Sequence, residues 1–152
     1  MEFRSSKKMS KKTKIFANYI YDGLGFPVEL HDVEMVEFDG KLHPKIDIRK
    51  VANDTIKGLV LQKYRLTGNQ IKFIRTHFSM SLRDFAKLAN ESHMAVKKWE
   101  NFGNRETTMD KNIEIMIRLH IYDHVVMKKE NGKSEKINFY NQFRALQNIF
   151  LQ

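Results

Sequence analysis

From residue 15 onward the spacing of apolar positions changes period once, from strand to helix. Residues 15–21 (IFANYIY) are aromatic and β-branched, and residues 28–38 (VELHDVEMVEF) alternate on either side of an interruption near Asp32. Gly23, Gly25 and Pro27 mark a turn between these runs. Asp39-Gly40 signals a two-residue type I′ hairpin, and Pro44 closes the region. The pattern predicts a small antiparallel sheet of two or three strands, which needs a helix or a partner to pack on. Over 48–61 the period becomes helical: Ile48, Val51, Ala52, Thr55, Ile56 and Leu59 share a face, and Gly58 weakens the end. Four more helices follow their start signals, Thr67 with Gln70, Ser81 with Asp84, Ser92, and Thr107 with Asp110. The last is predicted to run to about Val126 with two apolar stripes, Ile113, Ile117 and Ile121, and Ile115, Leu119, Tyr122 and Val126. One stripe closes a helical core; the other needs a further surface. A polar linker around Asn131-Gly132 leads to residues 137–152, an amphipathic helix with Tyr140, Phe143, Leu146 and Phe150 in line. The fold class is therefore α+β.

Charge sharpens this picture. The chain of 152 residues has a net charge of +9, unevenly placed. Residues 1–14 (MEFRSSKKMSKKTK) hold six Lys/Arg and one Glu, lack apolar periodicity, and read as a disordered basic arm. Residues 15–66 are close to neutral, with seven basic and eight acidic side chains, whereas 67–105 hold seven basic and three acidic. An acidic polymer is the implied partner, nucleic acid first and an anionic membrane surface second. No run of 18 uncharged apolar residues occurs, no apolar segment follows the basic N-terminus, and there is no cysteine. These features predict a cytoplasmic protein with no membrane span, disulfide or thiolate metal site.

The chemistry centres on residues 81–101, SLRDFAKLANESHMAVKKWEN. A short helix, a three-residue turn and a second short helix are predicted, with Phe85, Ala86, Val96 and Trp99 as the buried set. Asn90 sits where the turn needs a positive φ, and Ser92 opens the second helix. The pattern S-x-x-x-[LF]-A-x-x-x-[GN]-x-S-x-x-x-[VI]-x-x-W-E resembles the helix-turn-helix of the lambda-repressor/Cro (XRE) class, matched by Ser81, Phe85, Ala86, Asn90, Ser92, Val96, Trp99 and Glu100. RLTGNQIKFIR (residues 65–75) and GLGFPV (residues 23–28) are similar to antitoxins of the MqsA/HigA type. Leu82 stands where the class often has Gln, Glu91 where a small apolar residue is usual, and the cysteine-rich zinc domain of the MqsA namesake has no counterpart. The resemblance implies that the second helix enters the major groove of double-stranded DNA, with His93, Met94 and Lys97 at base edges. Arg83, Ser92, Lys98, Asn104 and Arg105 are then placed for phosphates. It further implies a homodimer on a palindromic operator, and an antitoxin that binds a cognate toxin and represses its own operon. The domains read as a basic arm (1–14), a β element plus helix (15–65), the helix-turn-helix domain (66–127), and a linker with an amphipathic helix (128–152).

Other constellations are weaker. His120 and His124 have the i, i+4 spacing of zinc ligands, but there is no HExxH motif and no evident third ligand, so a partly buried histidine pair in a helical core is expected. Glu29, Asp32, Glu34, Glu37 and Asp39 alternate with apolar residues and read as a solvent-facing strand edge. No P-loop, nucleophile elbow or dinucleotide fingerprint occurs, and no metal, cofactor or enzymatic activity is expected. The competing readings are a metal-dependent nuclease built on His120 and His124, and a basic RNA-binding module.

Overall fold

The computed structural model describes residues 13–126 and, beyond them, Asn141, Arg144, Ala145 and Asn148. Three strands, β1 (Thr13–Tyr21), β2 (Val28–Phe38) and β3 (Lys41–Pro44), form an antiparallel sheet in the order β1-β2-β3. Five helices follow: α1 (Ile48–Leu61), α2 (Gly68–His77), α3 (Leu82–Ala89), α4 (His93–Glu100) and α5 (Lys111–Ile121), the last running into a π-helical turn, Tyr122–Val126. The chain is thus α+β. The expectations for residues 1–12, and for the linker and apolar face of 128–152, lie outside the described residues. Asn141, Arg144, Ala145 and Asn148 are helical and exposed, at the spacing of one helix face.

The hairpin signal acts through backbone conformation. Asp39 and Gly40 both adopt positive φ (52° and 71°), the requirement of a type I′ turn, and join Phe38 to Lys41. β1 begins two residues earlier than the apolar run suggested, because Thr13 and Lys14 pair with Val36 and Met35. The interruption at Asp32 is real, with φ 53°. Register nevertheless continues across it, from Asn18 opposite His31 to Phe16 opposite Val33. Burial steps from Val28 and Leu30 to Val33 and Met35, so the positive-φ residue switches which side chains face inward without shifting the pairing. The glycine-rich stretch is the β1–β2 turn, where Gly25 (φ 95°) donates its N–H to Asp22.

The main core lies among the helices. Ile56, Leu59 and Val60 of α1, Ile71, Phe73 and Ile74 of α2, Phe85, Ala86 and Ala89 of α3, Val96 and Trp99 of α4, and Ile117 and Ile121 of α5 form one buried cluster. From the strand region, Phe26 joins that cluster, edge-on to Phe73 with ring centroids 5.4 Å apart. The sheet is therefore pinned to the helices by an aromatic plug at the β1–β2 turn.

Three local expectations are corrected. Ile48 is 60% exposed and not a core residue, because the first turn of α1 projects beyond the cluster. Thr107 does not cap α5. It is buried and its N–H bonds to the Leu66 carbonyl, while Asp110 caps the helix by accepting the N–H of Asn112 at 2.8 Å. The second stripe of α5 is covered unevenly: Ile115 packs against the helical core and Tyr122 is buried in it, while Leu119 is exposed. Between the two stripes, Glu114 and Arg118 are each only 1% exposed.

That buried pair is a helix clamp. Arg118 Nη1 donates to the carbonyls of Leu59 (3.1 Å), Val60 (3.1 Å) and Gln62 (2.6 Å), and Nη2 to that of Tyr64 (2.7 Å). These are carbonyls at and beyond the end of α1, groups that an α-helix leaves without internal partners. Glu114 accepts from Arg118 (3.4 Å), from Arg65 Nε (3.2 Å) and from the Leu66 N–H (2.9 Å), and Arg65 also donates to the Met109 carbonyl. Burial pushes the pKa of Arg118 down and Glu114 opposes that shift; a guanidinium stays charged regardless. The clamp fixes the end of α1, the start of α2 and the middle of α5 to one another.

Candidate nucleic-acid interface

α3, residues 90–92 and α4 form a helix-turn-helix. Local bonds set each boundary. Ser81 and Asp84 form a reciprocal capping box at the start of α3, and accepting those hydrogen bonds holds the Asp84 carboxyl below the usual aspartate range. Asn90 ends α3 in the left-handed conformation (φ 53°, ψ 44°), with its N–H bonded to the carbonyls of Ala86 and Lys87. Ser92 then caps α4 by accepting the N–H of Ala95 at 3.1 Å.

α4 is divided cleanly. Val96 and Trp99 are buried, while His93, Met94 (61% exposed), Lys97 and Lys98 face solvent. On α3, Phe85 and Ala86 are buried and Arg83 is exposed. Leu82 is half-buried against the core, so this position offers apolar packing and no polar contact. Ser92, Asn104 and Arg105 are exposed around the same motif, as is Glu91. Asn104 accepts from Asn69 Nδ2 at 2.9 Å, and Arg105 lies over the Phe102 ring at 5.4 Å from its centroid. The residues assigned to bases are thus on α4 itself. Those assigned to phosphates come from α3, the N-cap and last turn of α4, and the segment after it.

The partners of two positioning residues escaped the sequence reading. Arg75 of α2 makes a two-pronged pair with Glu100, the last residue of α4, at 2.6 Å and 3.3 Å, and donates to the Met80 carbonyl at 3.0 Å. Gly68 opens α2 against the end of α4: a Cβ there would lie 2.5 Å from the Trp99 carbonyl oxygen and 2.7 Å from that of Glu100. Only glycine permits this approach. A signal was present in each case, a glycine beside a threonine cap and an Arg–Glu pair 25 residues apart, but neither specifies its partner.

His120 and His124 stack with ring centroids 4.0 Å apart, and both contact the edge of Phe78. His124 Nδ1 lies 2.8 Å from the His120 carbonyl oxygen, so this nitrogen is a donor and not a free metal ligand. Among the described residues no group of three His, Cys, Asp or Glu is placed to hold a metal ion, and no helix is long and apolar enough to cross a membrane.

Comparison with known proteins agrees with the motif. No protein-family model matches the chain, and no solved structure matches it. The chain is similar to a protein of Methanobrevibacter smithii carrying the name "Putative HTH-type transcriptional regulatory protein", with 31% identity over 87 residues. The match covers 47% of this chain and 28% of that protein, so the chain spans less than a third of the length of its relative.

Proposed function

We propose that this protein is a transcriptional regulator that binds double-stranded DNA in a sequence-specific manner through α4. One observation carries the reading. An eight-residue helix is anchored by two buried side chains and exposes His93, Met94, Lys97 and Lys98. Such a rod is about 12 Å long and fits the major groove, which is about 12 Å wide. Lys97 donates to guanine O6 or N7, Met94 meets a thymine methyl and His93 reaches the edge of a neighbouring base. Arg83, Ser92, Lys98, Asn104 and Arg105 hold the phosphates on either side. Similarity to a helix-turn-helix regulatory protein supports the same reading.

The protein acts as a homodimer on a palindromic operator, with half-sites about one helical turn apart. The resemblance of residues 23–28 and 65–75 to MqsA/HigA-type antitoxins extends the reading to a type II toxin–antitoxin pair in which this chain silences a toxin and represses its own operon. Those two segments meet in space, since Phe26 packs on Phe73.

Selection of bound sequences from random duplex DNA tests the DNA reading. The expected result is an enriched palindrome; absence of enrichment, with tighter binding to structured RNA, replaces it with RNA recognition. Co-expression with the product of the neighbouring reading frame tests the antitoxin reading. Relief of growth arrest is expected, and arrest that persists despite folded protein removes it.

A further inference from the structure

β2 pairs with one edge of β1, and among the described residues no strand pairs with the other. An open strand edge is a template for another chain, and proteins ordinarily blunt it with charges, proline, a bulge or brevity. The opposite edge of this sheet is blunted, since β3 is four residues long and ends on Pro44. β1 is not. It runs for nine residues, about 30 Å at the strand rise. Lys14 is its single charged side chain, and it has no proline and no positive φ. Its apolar side chains are also poorly covered: Ile15 is 68% and Ile20 55% exposed, and Phe16, Tyr19 and Tyr21 are only half-buried.

The residues of β1 match a second copy of themselves. In an antiparallel pair of identical strands the two-fold axis passes through a residue that faces its own copy, because hydrogen-bonded and non-hydrogen-bonded pairs alternate and symmetry cannot exchange them. Near the middle of β1 that residue is Ala17 or Asn18. Centring on Ala17 sets Lys14 opposite Ile20 and Phe16 opposite Asn18, so polar meets apolar in both. Centring on Asn18 sets Phe16 opposite Ile20, Ile15 opposite Tyr21, and Lys14 opposite Asp22, the exposed carboxylate that follows the strand. Symmetry doubles each pair. Apolar then meets apolar, and the cation of the strand meets an anion at both ends. We infer that two copies of this chain join edge to edge through β1, antiparallel about Asn18, into one sheet with three strands from each copy. The interface deepens the homodimer reading and rests on it; it does not rest on DNA binding.

Sedimentation equilibrium of the full-length chain, without DNA, should show a reversible dimer. Lys14→Glu and Asp22→Lys should each weaken it about ten-fold, since either sets like charges opposite each other at both ends. Lys14→Glu/Asp22→Lys should return the dissociation constant to that of the unsubstituted chain, because the same pairs form with their signs exchanged. The chain has no cysteine, so Asn18→Cys should cross-link into a covalent dimer under mild oxidation, the two substituted positions facing each other at about 5 Å. Ile20→Cys should not, because its two copies lie about 13 Å apart along the pair. Amide spectra that match the unsubstituted chain report that the variants are folded. A monomer at NMR concentrations overturns the interface. So does a dimer indifferent to either charge reversal, a double variant no better than the single ones, or cross-linking at position 20 as readily as at 18. A protein that dimerises in this way and binds no duplex ends the DNA reading and leaves the interface standing; a monomer that binds duplex does the reverse.

Discussion

At the scale of single residues, the candidate interface depends on which side chains α4 is free to expose. Lys97 is exposed one residue after the buried Val96. Replacing it with Ala should cost about 1–3 kcal/mol of operator binding and relax discrimination at one base pair. Competition titrations against single-base operator variants measure both, and an unchanged profile removes Lys97 from the reading set. Gly68→Ala acts from a distance by driving a Cβ into the Trp99 and Glu100 carbonyls. It should lower stability by about 1–3 kcal/mol in chemical denaturation; a neutral result means that the end of α4 yields freely. Asp84 offers a pH test. Its folded pKa is depressed by the Ser81 hydrogen bonds, so its contribution is present above the unfolded value and is lost as pH falls through the folded one. Carboxyl chemical shifts should place its titration below that of a free aspartate, and an ordinary midpoint would mean the capping box is open. Asn90, Ser92 and Asp84 were legible in the sequence because each acts on backbone within a few residues of itself. Gly68 was not, because its constraint is set by a helix about 30 residues away.

At the scale of elements, starts and turns follow local chemistry and faces do not. The boxes at α2 and α3 stand where Thr67 with Gln70 and Ser81 with Asp84 place them. Thr107 with Asp110 has the same spacing and marks no helix start, because the backbone of Thr107 is taken up by Leu66. Glu114 and Arg118 mislead in the opposite sense. An i, i+4 acid–base pair ordinarily lies in solvent, yet here it is buried because the end of α1 presents carbonyls that need donors. Arg118→Met should therefore destabilise the fold by about 3–5 kcal/mol, since it strands Glu114 and those carbonyls in the interior. The midpoint of denaturant unfolding measures this, and a loss below about 1 kcal/mol would show that the clamp contributes little. Ile48 errs for a related reason: helical periodicity names a face, but not how far along the helix its cover extends.

At the scale of the whole molecule, the sheet and the helical core are two layers joined through Phe26. Phe26→Ala should cost about 3–5 kcal/mol. It should also speed amide exchange in β1–β3 more than in α2–α4, because the sheet loses its anchor while the helix-turn-helix keeps its own core. Uniform acceleration would mean that the layers unfold as one unit. The division of charge, basic around the helix-turn-helix and balanced in residues 15–66, is a property of composition. The meeting of Glu114 and Arg118 with the end of α1 is a property of packing. The amino-acid sequence by itself determined the order and type of the elements, the Asp39-Gly40 and Asn90 turns and the helix-turn-helix motif, because caps, turns and periodicity act over a few bonds. Tertiary structure alone decided the Arg118 clamp, the Gly68 approach and the Phe26 plug, because each is a meeting of groups distant along the chain whose burial is set by what packs against them.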